Sequence, residues 1–323
     1  MKYGLLPMRL ALLFFGAITI SLICASCDDS RQVADMSFDT KVADPAYVNA
    51  HPKALFDEAH DNIHTMTGRY RPFADLITND GYRLTPNKTK FSPKTLEGYE
   101  ILVIANALGA NESEDNPAFN EAECDAVHDW VQAGGSLLLI TDHYPTGSAA
   151  ENLAKRFGVG MSKGMTFDSS CYDKTSNDDS QLEFSSDNGL LGDHMIIQGR
   201  DATERINRVV TFTGQSLEVP VNGAPLLKLS ASAIDRAPSV RVEKSGGDTR
   251  VIVTYGEPVS ASGRAQGVAL ELGKGRVVIL GEAAMLTAQL DGKTKKPFGM
   301  NVSGLDNRQF ALNIMRWLSR LSN

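Results

Sequence analysis

The sequence lacks an excess of positive charge. Its 32 Lys and Arg are outnumbered by 39 Asp and Glu, which gives a formal net charge of −7. A protein that binds nucleic acid needs a cationic surface to displace the counterions of the phosphate backbone. No basic stripe supplies one here, so we expect no nucleic-acid partner.

Two motifs of known catalytic sites are also missing. The chain contains no H-E-x-x-H pair and no G-x-x-x-x-G-K-[ST] loop. Residues 57–60 spell the helicase tetrapeptide Asp-Glu-Ala-His, but helicase chemistry requires a phosphate-binding loop upstream. These absences exclude the zinc proteases that use an H-E-x-x-H pair and the nucleoside triphosphatases that use a phosphate-binding loop.

Cysteine is scarce, with four residues in the chain. Cys24 ends an apolar run over residues 10–24, and Cys27 follows three positions later. Basic residues precede the run, and small residues stand between the two cysteines. A basic start, a short apolar run and a small-residue exit are typical of a secretory signal. The small residues before Cys27 are also typical of a lipoprotein cleavage site, although Cys24 stands where leucine is usual.

We therefore predict a signal peptide over residues 1–26 and a lipid anchor on Cys27. The folded part would then lie on the periplasmic or extracellular side of the cell envelope, held to a membrane. Two alternatives stay open, namely simple secretion and an uncleaved anchor, for which so short a run is marginal. Residues 27–52 are mostly polar and predict a tether with no core of its own.

The remaining residues, 53–323, predict one α/β domain. Residues 101–105 and 136–140 are apolar on both faces, which is typical of central parallel strands. Between them, Asn120 and Glu123 form a capping box, which predicts the start of a helix. Alternating strands and helices indicate a three-layer sandwich with a mainly parallel, flavodoxin-like sheet. Residues 160–245 break the pattern and predict a variable, β-rich inserted or appended segment.

Polar side chains follow the apolar runs at the points where the strands should end. They are Asp57, Glu58, His60, His64, Asn106, Asp142, His143 and Glu282. Parallel strands place their carboxyl ends at one edge of a sheet, and ligands bind there. The sequence therefore predicts a single pocket, although each residue alone has an ordinary alternative as a helix cap or a turn.

Imidazole and carboxylate groups together suit a divalent metal ion or proton transfer. Four of these residues are candidate metal ligands: His60, His64, Asp142 and His143. Glu58 or Glu282 would act as the general base on a bound water, and Asp57 and Asn106 would contact the ligand.

Five segments together resemble the class I glutamine amidotransferase-like superfamily: residues 56–60, 101–106, 130–142, 275–282 and 307–321. The pattern is most similar to bacterial members akin to trehalose-utilisation-type proteins and the gliding-motility ABC-transport auxiliary domain. The resemblance implies a glutamine amidotransferase-like fold. Amidotransferases keep a nucleophilic cysteine in the turn after the strand that matches residues 137–140. Here Thr141-Asp142-His143-Tyr144 fills that turn, so glutaminase activity is not implied.

Two functions fit this sequence. The first is a hydrolase that could use a divalent metal ion and acts on a glycan or another small envelope substrate. The second is a non-catalytic binding or sensor domain that works with an envelope protein partner. A metal-bound pocket favours the first, and histidines that are each held by their own partners favour the second.

Overall fold

The computed structural model describes residues 32–109, 117–245 and 248–321. Within them lie the helices α1 Arg71–Asn79, α2 Pro93–Leu96, α3 Glu121–Ala133, α4 Thr146–Lys155, α5 Met195–Gln198 and α6 Asn307–Leu318. The strands are β1 Gln32–Ala34, β2 Lys53–Asp57, β3 Arg83–Asn87, β4 Ile101–Ala105, β5 Ser136–Ile140, β6 Met165–Asp168, β7 Glu183–Ser185, β8 Arg208–Val210, β9 Gly223–Lys228, β10 Ala233–Ser245, β11 Asp248–Ser260, β12 Ala265–Leu272, β13 Gly275–Leu280, β14 Ala288–Asp291 and β15 Pro297–Gly299.

A sheet of seven strands forms the centre of the domain, in the order β3-β2-β4-β5-β13-β12-β9. The first five of these strands are parallel. Strand β12 runs antiparallel to β13, and β9 runs antiparallel to β12. All five residues of β4 and all five of β5 are buried, as expected of parallel strands covered on both faces. The predicted, mainly parallel α/β architecture is confirmed.

Helices cover both faces of this sheet. In β5, Leu138 and Ile140 belong to the apolar cluster that contains α1 and α6, whereas Leu137 and Leu139 belong to the cluster that contains α3 and α4. This division follows from the strand geometry, because successive side chains point to opposite faces. The domain is therefore a three-layer sandwich with an apolar core on each side of the sheet.

Helix α3 begins at the predicted capping box. The Asn120 side chain accepts the Glu123 N–H at 2.9 Å, and the Glu123 carboxylate accepts the Asn120 N–H at 3.1 Å. The helix ends at Gly134, whose φ of 129° favours glycine over residues with a Cβ. Glu123 is thereby fixed at the amino end of α3, from where it reaches a second partner described below.

Residues 32–52 are folded against the domain, in contrast to the predicted polar tether over residues 27–52. Strand β1 pairs antiparallel with β14, and the Tyr47 ring lies 5.2 Å from the ring of Tyr82. Phe38 and Val42 also pack against the core. These contacts escape sequence analysis because the apolar residues are few and are separated by polar ones, without a helical or strand period.

The segment over residues 160–245, predicted as a β-rich insertion, is only partly separate from the main sheet. Strand β9 closes the central sheet by pairing with β12. Strand β10 pairs with β6 and β11 in a second sheet, and β7 pairs with β8. The segment therefore completes the central sheet as well as adding smaller ones.

None of the helices in residues 32–109, 117–245 and 248–321 is long and apolar enough to cross a membrane. The predicted signal peptide, residues 1–26, and the predicted anchor at Cys27 lie outside the described residues, so both remain predictions.

Candidate functional site

A cleft of about 560 Å³ opens at the carboxyl ends of the parallel strands. The loops after β2, β4 and β5 supply four of its lining residues, which are His64, Asn106, Asp142 and His143. The short helical turn after β13, Ala284–Leu286, supplies Ala284. The strand order brings these segments together because neighbouring parallel strands end at one edge.

Asn106 stands immediately after β4 with a φ of 47°, a left-handed conformation that asparagine tolerates better than most residues. Its backbone is held on both sides, since its N–H donates to the Ile140 carbonyl and its carbonyl accepts the Ile63 N–H, each at 2.9 Å. Its buried side-chain oxygen Oδ1 has no hydrogen-bond partner among the described residues. The backbone of this lining residue is thus fixed in position, and its buried side-chain oxygen is left unsatisfied beside the cleft.

His64 is 5% exposed and packs against Tyr70 with the two rings tilted by 33° and their centroids 4.8 Å apart. Burial, aided by the positive charge of Arg69, lowers the pKa of His64 to about 3. The ring is therefore neutral over the whole physiological range. Its Nδ1 is buried without a partner among the described residues, so His64 presents an uncharged polar nitrogen.

The turn after β5 is held by its backbone and by a side chain from elsewhere in the chain. Asp142 Oδ1 accepts the His143 N–H at 2.7 Å, and Gln215 Nε2 donates to the Asp142 carbonyl at 2.8 Å. His143 Nδ1 lies 2.8 Å from the Tyr144 carbonyl, which can only accept, so Nδ1 carries a proton. The side chains of His143 and Asp142 are 26% and 19% exposed and can be reached from the cleft.

Gln289, in β14, is a lining residue that sequence analysis missed. Thr287 Oγ1 donates to the Ala284 carbonyl at 2.7 Å, so it can only accept from Gln289 Nε2, also at 2.7 Å. This fixes the orientation of the amide and leaves Gln289 Oε1, a buried acceptor, without a partner among the described residues. No signal identified Gln289 because β14 is short and follows no apolar run.

Phe212 and Phe298 line the cleft with their rings 5.8 Å apart, which adds an aromatic surface to the polar one. Thr213, also in the lining, has a φ of 97°. This conformation is strained for a β-branched residue and costs roughly 1–3 kcal/mol. Strain of this kind clusters at functional sites, so it agrees with the placement of the site here.

Glu282 lies beneath the cleft and is fully buried. Its carboxylate accepts the N–H groups of Ala284 at 2.7 Å and Met285 at 2.8 Å. Burial raises the pKa of Glu282 well above its usual value, and the negative charge of Asp142 raises it further against these hydrogen bonds. Glu282 therefore holds the loop that lines the cleft, in contrast to the predicted role of a general base in contact with ligand.

His60 and Asp57 lie outside the cleft lining and are bound to each other. His60 Nδ1 is 2.9 Å from both carboxylate oxygens of Asp57, and Nε2 is 2.8 Å from Glu123 Oε1. The ring packs between Phe91 and Phe119 at centroid distances of 4.7 and 4.8 Å. The geometry contradicts the expectation that His60 is a metal ligand, because both ring nitrogens are already engaged by carboxylates.

Glu58 is likewise occupied. It accepts the Met66 N–H at 2.8 Å and forms an ion pair with Lys88. Its position after β2 was predicted correctly as a strand end, but its side chain holds the following loop and does not line the cleft. It is therefore not placed to serve as the predicted general base.

Across the described parts of the chain, no group of three or more His, Cys, Asp or Glu side chains is arranged to hold a metal ion. The four predicted ligands are divided, with His64, Asp142 and His143 at the cleft and His60 enclosed by carboxylates. The ligand set expected from the sequence is therefore incomplete.

No protein-family model matches the sequence, and no curated protein matches it. Among solved structures, the mmIFT52 N-terminal domain is similar with a TM-score of 0.55 and 13% identity, over 83% of this chain and 97% of that domain. At this level of identity the likeness concerns the fold alone. It supports one architecture that extends over most of the chain.

Two further solved structures show a weaker likeness. A ThuA-like protein from Bacteroides uniformis ATCC 8492 has a TM-score of 0.44 and 14% identity, over 84% of this chain and 93% of that one. A GMP synthase-like protein from Thermoplasma acidophilum has a TM-score of 0.41 and 11% identity, over 85% and 97%. Neither likeness bears on what this chain binds.

Proposed function

We propose that this protein is a lipid-anchored envelope protein whose cleft binds a small, hydroxyl-rich ligand such as a saccharide without transforming it. One observation carries the proposal. Three buried polar atoms without partners among the described residues belong to residues that line the same cleft, namely His64 Nδ1, Asn106 Oδ1 and Gln289 Oε1.

A buried polar atom left unsatisfied costs roughly 1–3 kcal/mol, so a set of three favours a ligand that satisfies them together. Hydroxyl groups suit such a set because each can both donate and accept. The neutral His64 and the amides of Asn106 and Gln289 add no charge, and the Phe212–Phe298 pair offers a surface for the C–H face of a sugar ring. Sites of this kind combine an apolar wall with a few placed polar groups.

The hydrolase hypothesis receives less support from the same geometry. His60, Glu58 and Glu282 are each engaged in holding the fold, which removes one proposed metal ligand and both proposed bases. Asp142 and His143 remain in the cleft, and in a binding site they serve as polar contacts to the ligand. The binding-domain alternative is therefore the better supported one.

The ligand-binding proposal predicts that Asn106→Gly and Gln289→Met each weaken saccharide binding about tenfold or more, because each removes one hydrogen bond to the ligand. Glycine is chosen at position 106 because it accepts the positive φ. Affinity is measured by calorimetric titration, with a saccharide that first binds the native protein in a panel of neutral mono- and oligosaccharides.

The matched control is Asn222→Gly, an exposed asparagine beside Glu271 at the opposite edge of the sheet, which should leave affinity unchanged. Thermal unfolding of each variant confirms that it is folded. A panel in which no saccharide binds, or an equal loss with Asn222→Gly, contradicts a hydroxyl-rich ligand in this cleft.

The anchoring proposal predicts that Cys27→Ala abolishes acylation and moves the protein from the membrane fraction to the soluble fraction. Fractionation and incorporation of a labelled fatty acid measure the two effects. Cys24→Leu, which restores the usual residue before the small pair, should remain acylated and membrane-bound. A Cys27→Ala protein that stays in the membrane and uncleaved would instead support an anchor formed by residues 10–24.

A further inference from the structure

A basic loop lies beside the first described residue of the chain. Strand β1 begins at Gln32, which pairs with Asp291 at the end of β14. The loop over residues 292–296 follows directly and carries Lys293, Lys295 and Lys296, all exposed. The amino-terminal end of the described chain, Gln32, therefore lies beside the loop that carries the three lysines.

The loop has a defined shape. Asp291 Oδ1 accepts the N–H groups of Lys293 and Thr294 at 3.0 and 2.7 Å, and also the Thr294 hydroxyl at 2.8 Å. These bonds turn the backbone of the loop, and the three lysines remain exposed. Among the described residues, none of the three lysines forms a salt bridge to a carboxylate, so their charge is available in a chain whose net charge is −7.

The proposed anchor is close to this loop in the chain. Gln32 follows Cys27 by five positions, and five extended residues span at most about 18 Å. A lipid on Cys27 therefore holds β1, and the lysines beside it, within that distance of the membrane surface. Anionic headgroups attract basic residues near the membrane surface. Salt screens this attraction beyond the Debye length, which is about 8–10 Å.

The cleft shares this end of the molecule. Gln32, Asp291 and Lys296 are among its lining residues, together with Phe298 from β15. The opposite edge of the sheet, at the turn between β12 and β13, lies one strand length away, roughly 20 Å.

We propose that the loop over residues 292–296 is a membrane-contact surface that binds anionic phospholipid headgroups and turns the mouth of the cleft toward the bilayer. The inference rests on the proposed anchor at Cys27. It specifies the ligand further, because a cleft held in this orientation receives the headgroup of a membrane-bound saccharide in preference to a freely diffusing one.

The orientation is tested with the mature, acylated protein in vesicles prepared from zwitterionic lipid mixed with 30% anionic phospholipid. A donor dye is placed on Thr294→Cys, at the loop, or on Lys274→Cys, at the opposite edge, in a Cys171→Ser background. Energy transfer to an acceptor in the lipid headgroups should be higher from position 294 than from position 274. The difference should shrink in high salt and in vesicles without anionic lipid.

Charge reversal provides the second measurement. Lys293→Glu, Lys295→Glu and Lys296→Glu together should remove the difference between the two dye positions. Reversal of the exposed Lys53, Lys94 and Lys155 should not, although it changes the net charge equally. Equal or greater transfer from position 274, or no response to the loop substitutions, overturns the proposal.

The same proteins distinguish failure of the anchor proposal from failure of the membrane-contact proposal. If Cys27 is not acylated, the soluble protein is added to the anionic vesicles and its co-flotation is measured. The loop substitutions should then lower vesicle binding on the order of 100-fold, because each lysine lost should lower it about fivefold. The control substitutions should leave vesicle binding unchanged. Equal binding by native and loop-substituted protein contradicts the membrane-contact surface independently of the anchor.

Discussion

Replacing Arg316 with methionine is expected to lower the free energy of unfolding by about 3–5 kcal/mol. Arg316 lies in α6 and is 4% exposed. Its guanidinium donates to both carboxylate oxygens of Asp80, at 2.6 and 2.9 Å, and to Glu204 Oε1 at 2.7 Å. Methionine fills a similar volume but leaves the buried Asp80 without its counter-charge and Glu204 paired with Arg200 alone. The loss therefore comes from uncompensated charge more than from packing.

The matched control is Arg71→Met. Arg71 pairs with Asp75 at 3.4 Å, but these side chains are 51% and 48% exposed, so the substitution should cost less than about 1 kcal/mol. Urea unfolding measures both values. Adding Asp80→Leu to Arg316→Met should cost less than the sum of the single losses, because the two residues share one interaction. A loss for Arg316→Met no larger than that for Arg71→Met contradicts this account.

The long regular elements could be predicted from sequence because their patterns are local. Strands β4 and β5 are continuous apolar runs, and α3 combines a capping box with an apolar face. Other elements depend on pairing that sequence does not encode locally. Strand β3 is a polar edge strand that contains Pro86, and β1 is three residues long and pairs with a strand some 250 residues away.

The candidate site shows the same division. The location of the cleft could be predicted from topology, since each residue that follows a parallel strand lies at one edge. Which of those residues face the cleft could not be predicted, because that depends on partners from other elements. Glu123, at the amino end of α3, forms a hydrogen bond with His60. Backbone N–H groups of the loop after β13 donate to Glu282. Neither contact has a sequence signature.

The second large effect is expected at His60. His60→Leu should lower the free energy of unfolding by about 3–5 kcal/mol near pH 6, because it leaves Asp57 and Glu123 as buried carboxylates without the group between them. Carboxylates only accept, so a ring with one at each nitrogen donates from both and is protonated. Burial alone would lower the pKa of His60, but the hydrogen bonds and charges of Asp57 and Glu123 outweigh it and raise the pKa above 6.5.

The direction of the pH dependence follows from this shift. A histidine whose pKa is raised by folding contributes stability that is complete below its unfolded pKa of about 6.5 and is lost as the pH rises through the folded value. For Glu123, burial raises the pKa, but the hydrogen bonds of His60 and Asn120 lower it overall. Its contribution is therefore present above about pH 4.5 and lost as the pH falls through the folded value.

The stability difference between native protein and His60→Leu should accordingly be greatest at about pH 5–6.5 and should shrink at higher pH, where the ring loses its proton. Urea unfolding at closely spaced pH values measures this difference directly. His128→Leu, on α3, where the His128 side chain is 28% exposed, should change stability by less than about 0.5 kcal/mol throughout. A difference for His60→Leu that stays constant across this range would mean that the ring is neutral in the folded protein, with the proton held by one of its two carboxylate partners.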